Sequence, residues 1–144
     1  MFDRPSWMAI LARAEGPDIA ALLGAAPPLP PHRRLRGPEI GLTMLRGRAG
    51  GDGAAFNLGE ATLTRCSVTL EDGTVGHAWR LGRDRAAAEL SARLDAALQR
   101  PELHGPLAAQ VIAPLAAAQA EAAARDARRA AATGVRFATL SAMR

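Results

Sequence analysis

The sequence predicts an α+β fold, an antiparallel sheet of about four to five strands with helices packed on it. Three observations carry that prediction. Asp72-Gly73 lies between two alternating runs and is a hairpin signal. Leu90, Leu94 and Leu98 then recur at helical spacing. Residues 116–132 hold 11 alanines in 17 positions, the composition of a strong helix former.

The elements follow in order. Asp3 can cap a helix that runs to about Ala14, with Pro5 in its first turn and Trp7, Ile10 and Leu11 as its apolar stripe. Gly16-Pro17-Asp18 breaks it, and Asp18 can cap a short second helix carrying Ile19, Leu22 and Leu23. Residues 25–31 contain four prolines, which fix φ and remove donors, so they read as an extended linker or arm. His32–Leu35 and Ile40–Arg46 read as two strands, the second with Ile40, Leu42 and Met44 on one face. Gly47 to Gly53 is a glycine-rich turn. Phe56 to Leu70 returns as a strand with a bulge or bend near Gly59-Glu60. Thr74–Leu81 closes the hairpin, and a helix capped near Asp84 runs on until Pro101 stops it. A short helix at Leu107–Ile112 precedes Pro114. The Ala-rich helix follows, Gly134 caps it, and Val135–Leu140 alternates like a closing strand.

The 144 residues fit one domain, 1–144, able to bury roughly 70% of its unfolded surface. With three Phe, two Trp and no Tyr, aliphatic residues and above all Ala must fill the core. Such a core needs close approach of its elements, or a neighbouring chain to complete it. All 18 basic residues are Arg, the net charge is +4, and the isoelectric point is about 11.1. Fourteen acids are interspersed among the arginines, and there are few aromatics for bases to stack on, which argues against nucleic-acid binding. A small basic nucleic-acid binder remains a third reading on isoelectric point alone. Cys66 is the single cysteine, so no intrachain disulfide forms. No signal peptide and no run of 18 uninterrupted apolar residues is visible, so the expectation is a cytoplasmic protein without a membrane span.

If Asp72-Gly73 is a two-residue turn, Val68 faces His77 and Cys66 faces Trp79. Cys66, Val68, Leu70, His77, Trp79 and Leu81 then share a core face. Arg65 lies directly opposite Arg80 on the other face, a juxtaposition of like charges that needs neutralising. One explanation is an anion or acidic partner held by Arg65 and Arg80, with Arg83 nearby. The other is solvated arginines screened by Glu60 or Asp84, or a different register. His77 reads as a buried core histidine. His32, His77, His104 and Cys66 lack the short spacings of structural zinc sites, so no metal is expected. No helix N-terminus is predicted beside Cys66 to activate it. Gly47–Gly53 matches a phosphate cradle in composition but lacks the Gly-Lys-Ser/Thr ending and a following helix. No catalytic set emerges.

Several motifs occur in a particular order. Gly41-Leu42-Thr43-Met44-Leu45-Arg46-Gly47 leads into Phe56-Asn57-Leu58-Gly59-Glu60, followed by Asp72-Gly73-Thr74-Val75-Gly76-His77, Gly82-Arg83-Asp84 and Asp95-Ala96-Ala97-Leu98. With Arg4, Trp7, Met8 and Val111-Ile112-Ala113-Pro114-Leu115, this order resembles the PhnG family, small subunits of the bacterial carbon–phosphorus lyase core complex. At the C-terminus the chain departs from the family's aromatic pair and Thr-Met-Val-Arg-Gly, keeping Phe137 alone. The resemblance implies a part in phosphonate catabolism. It implies an assembly that joins a phosphonate to ribose C1 of ATP and releases adenine, with ATP as a substrate of the complex and no cofactor on this chain. It further implies PhnH-, PhnI- and PhnJ-like partners in a two-fold symmetric hetero-oligomer, with the catalytic residues on a partner.

Overall fold

The computed structural model describes residues 2–48 and 53–134. Two N-terminal helices, α1 (Arg4–Arg13) and α2 (Gly16–Leu23), precede three strands, β1 (His32–Gly47), β2 (Phe56–Leu70) and β3 (Val75–Leu81). Helix α3 (Arg85–Leu98) follows, then a long helix α4 (Pro101–Ala132). The strands form an antiparallel sheet in the order β1-β2-β3. The α+β class therefore holds, with three strands among the described residues in place of four to five. His32–Leu35 and Ile40–Arg46 are one strand, whose register shifts around Gly37-Pro38. The expected strand Val135–Leu140 lies outside the described residues.

Local chemistry explains the helix starts. Asp3 Oδ1 accepts from the Ser6 N–H at 3.0 Å, and Asp84 Oδ1 accepts from the Ala87 N–H at 2.8 Å. Asp18 is not a cap: it lies inside the first turn of α2, where its charge favours the helix dipole. Pro101 does not end a helix but opens one, at the first position, where a missing N–H costs nothing. Pro106 and Pro114 then lie inside α4. Between them Ala108–Ile112 widens into a π-helical turn, and the Ala113 N–H reaches back to the Ala108 carbonyl. The expected short helix and the Ala-rich helix are therefore continuous.

Helix α3 sits between two layers. Its Ala88, Ala92 and Ala96 meet Cys66, Val68, Leu70 and Ala78 of the sheet. Its Leu94, Ala97 and Leu98 meet Trp7, Ile10, Leu11 and Ile19 of α1 and α2, and Leu107, Val111 and Ile112 of α4. Small residues on one side let the backbones close up. A Cβ on Gly76 would lie 2.0 Å from the Ala92 carbonyl oxygen, so only glycine fits there. Helix α4 is long enough, and over 18 residues apolar enough, to cross a membrane by length and composition alone, although no run of 18 uninterrupted apolar residues occurs in it. Its large apolar side chains Leu107, Val111, Ile112 and Leu115 are buried in the core.

Candidate functional site

The β2–β3 connection decides which side chains the molecule presents. It has three residues, Glu71-Asp72-Gly73, with the Leu70 N–H on the Thr74 carbonyl at 2.9 Å and the Gly73 N–H on the Leu70 carbonyl at 3.1 Å. Gly73 has φ +86, and Asp72 Oδ1 accepts from the Thr74 N–H at 2.9 Å. The pairs are therefore Val68 with Gly76, Cys66 with Ala78 and Thr64 with Arg80, one residue away from the two-residue turn. A one-residue slip turns every β3 side chain to the other face. Trp79 and Leu81, expected in the core, are 47% and 65% exposed, and His77 lies beside Trp79 on the uncovered face. Arg80, expected on the outer face, is buried.

Arg65 and Arg80 are consequently on opposite sides of the sheet, so the expected juxtaposition of the two like charges does not arise. Arg65 pairs with Trp79 across the strands, and its Nε donates to Glu39 Oε1. Arg36 donates to the same oxygen, and these two hydrogen bonds hold the Glu39 carboxyl below its usual pKa. Arg80 reaches under the sheet to the last turn of α1. Its Nη1 donates to the Leu11 carbonyl and to Ser91 Oγ, and its Nη2 donates to the Ala14 carbonyl. A guanidinium at this end of α1 satisfies orphan carbonyls and meets the negative end of the dipole. Burial lowers its pKa, while Asp84 and Glu15 oppose that shift. Arg83 is exposed. It lines a hollow of about 580 Å³ together with Arg13, Trp79, Arg80 and Asp84.

On the uncovered face the His77 ring stacks near Trp79, centroids 5.6 Å apart, and its Nδ1 lies 2.9 Å from Ser67 Oγ. Cys66 is buried on the α3 side, where desolvation raises its pKa and leaves it a poor nucleophile. Among the described residues no three His, Cys, Asp or Glu side chains come together in a way that could hold a metal ion.

Two carboxylates that sequence reasoning passed over organise the body. Asp95 is fully buried in α3. It accepts from Arg4 Nε and Nη2 at 3.1 and 2.8 Å, from Trp7 Nε1 at 2.9 Å and from the His77 N–H at 2.9 Å. Four donors on one carboxylate tie α1, α3 and β3 together. Glu89 accepts from Arg34 Nε and Nη2 at 2.8 and 2.7 Å and lies 3.0 Å from His32 Nε2, clamping the start of β1 to α3. Those partners lower its pKa to about 2. A lone acid inside an apolar helical stripe was the sequence signal for Asp95.

The β1–β2 hairpin contrasts with this body. β3 pairs with β2 only as far as Leu63, so Leu42–Gly47 and Phe56–Thr62 continue as a two-stranded arm. Leu42, Met44, Leu45, Phe56 and Leu58 on that arm are all more than 40% exposed.

Residues 2–142 match the profile of a family described as phosphonate metabolism protein PhnG. The chain belongs to the PhnG family. A PhnG relative from Rhizobium meliloti (strain 1021), named alpha-D-ribose 1-methylphosphonate 5-triphosphate synthase subunit PhnG, is 45% identical over 97 residues. That match covers 67% of this chain and 62% of the relative, so the chain spans less than two thirds of the relative's length. Arg65 and Arg80, Trp79 and Leu81, Asp95 and Glu89, and the arm all lie within the part of the chain that the PhnG profile spans.

Proposed function

We propose that this PhnG-family chain is a non-catalytic subunit of an assembly that joins a phosphonate to ribose C1 of ATP and releases adenine. The observation that carries the reading is the family match over residues 2–142. The name of the Rhizobium relative, a synthase subunit, points the same way. The side-chain chemistry supports it. Asp95, Glu89 and Arg80, the most tightly held charged groups, are committed to partners within the chain. Catalytic groups then belong to a partner, and ATP binds to the complex with no cofactor on this chain. PhnH-, PhnI- and PhnJ-like subunits complete a two-fold symmetric hetero-oligomer in the cytoplasm, and the N-terminal part of α4 packs Leu107, Val111, Ile112 and Leu115 in the protein core instead of entering a bilayer.

Co-expression with those subunits tests this. The full complex should release adenine from ATP in the presence of methylphosphonate, the complex without this chain should lose that activity, and this chain alone should have none. Adenine release by the chain alone would overturn the reading. So would steeply salt-dependent DNA binding by a stable lone chain.

A second reading rests on the hollow lined by Arg13, Arg80 and Arg83. There Arg83 contributes a cation to a shared phosphate site at a subunit boundary, while Arg80 shapes the wall. Arg83→Ala would then leave the complex assembled and abolish synthase activity. Unchanged activity removes this reading and leaves the first intact.

A further inference from the structure

Seven of the nine large apolar side chains exposed among the described residues lie on β1 and β2. On the arm they occupy both faces. Ile40, Leu42 and Met44 follow one another at alternate positions on the side that carries α3 further down. Leu45 lies on the opposite side. The arm reaches roughly 20 Å past β3 at the rise of an extended strand. A two-stranded ribbon is marginal in water by itself, and an apolar patch of this kind marks a contact surface. Among the described residues β1 is also an edge of the sheet, so one row of its N–H and C=O groups has no strand beside it there.

Charge selects the occupant. β1 carries Arg33, Arg34, Arg36 and Arg46 against the single acid Glu39; Arg34 is paired with Glu89 and Arg36 with Glu39, which leaves Arg33 and Arg46 to set the sign of the edge. A second copy laid antiparallel along this edge would bring arginine towards arginine, and the chain as a whole is at +4. An acidic partner has no such repulsion.

We propose that the β1–β2 arm docks this chain onto another subunit of the synthase assembly, in an apolar cleft edged by carboxylates. The inference rests on the reading of the chain as a subunit and names the element that joins it. The arm supplies apolar area on two faces, and Arg33 and Arg46 at the two ends of β1 set orientation and register.

The test uses the full chain co-expressed with tagged PhnH-, PhnI- and PhnJ-like subunits. Leu42 and Met44 are 66% and 51% exposed, so Leu42→Arg/Met44→Arg alters the arm and not the body. The milder Leu42→Gln/Met44→Gln removes apolar surface without adding charge. Wild type should co-purify. The Arg pair should reduce co-purification at least tenfold and the Gln pair by a smaller factor. Both variants alone should keep the wild-type melting temperature, and higher salt should weaken the wild-type complex. Variants that join the complex as wild type does would overturn the proposal. A wild-type chain that dimerises alone, with variants that break the dimer, would replace it with self-association. Variants that melt lower alone would place the arm against the chain's own residues, 135–144 included, and overturn it too. Failure of wild type to co-purify would sink the subunit reading itself, and the proposal with it.

Discussion

The seam between the sheet and α3 and the arm of the β1–β2 hairpin use side-chain size in opposite ways. The seam buries small residues, Gly76 and Ala78 against Ala88, Ala92 and Ala96. The arm exposes large ones, Leu42, Met44, Leu45, Phe56 and Leu58. A chain poor in bulky residues would be expected to keep them for its core. That so many stand outside, while alanine fills the seam, indicates that the sheet and α3 are closed by backbone proximity and that the arm's area suits another surface.

The largest effect expected from breaking this contrast is at the seam. Gly76→Val would drive its side chain into the Ala92 carbonyl and the Ala96 backbone and separate β3 from α3. A loss of at least about 4 kcal/mol is expected in chemical denaturation of the isolated chain. A near-neutral Gly76→Ala would show that the seam is looser than described. Next is Asp95→Ala, which leaves Arg4, the Trp7 indole N–H and the His77 N–H without their acceptor. It should cost about 3–5 kcal/mol, because a buried donor set is orphaned.

Glu89 gives a smaller effect with a pH signature. Its carboxyl falls from the usual 4.5 to about 2 in the folded chain, chiefly through the Arg34 hydrogen bonds. A depressed folded pKa contributes stability above pH 4.5, lost as pH falls from 4.5 towards about 2. Arg34 is itself exposed, so the contribution is roughly 1–2 kcal/mol after screening. Glu89→Gln should lower stability at neutral pH and flatten the acid limb of the stability profile; an unchanged acid limb would assign that limb to other carboxylates. The smallest change belongs to the arm: Leu42→Ser should alter the stability of the lone chain by no more than about 0.5 kcal/mol. A drop of 2 kcal/mol or more would mean that the arm is already packed.

Much of this contrast was legible in the sequence, and the rest was lost for definable reasons. Asp3 and Asp84 announced their helices because capping is local chemistry. The stripe Leu90, Leu94, Leu98 was visible, but Ala88, Ala92 and Ala96 on the neighbouring face were not, since alanine carries almost no periodic hydrophobic signal. Asp72-Gly73 marked a turn correctly, yet could not distinguish a two-residue from a three-residue loop. That single residue moved Trp79 and Leu81 outward, buried Arg80, and dissolved the expected pairing of Arg65 with Arg80. Pro101, read as a stop, proved a start, because both roles place proline beside a helix end. The bend expected near Gly59-Glu60 is present as a register shift opposite Leu45 and Arg46.

Hydrogen exchange tests the contrast most directly, measured on the chain alone and in the co-expressed complex. Alone, amides of Val68, Ala78 and α3 should be strongly protected, while those of residues 42–47 and 56–62 exchange quickly. In the complex the arm should gain protection and the seam should change little. Equal protection of the arm in both states, or an arm that stays fast in an assembled complex, would contradict the account.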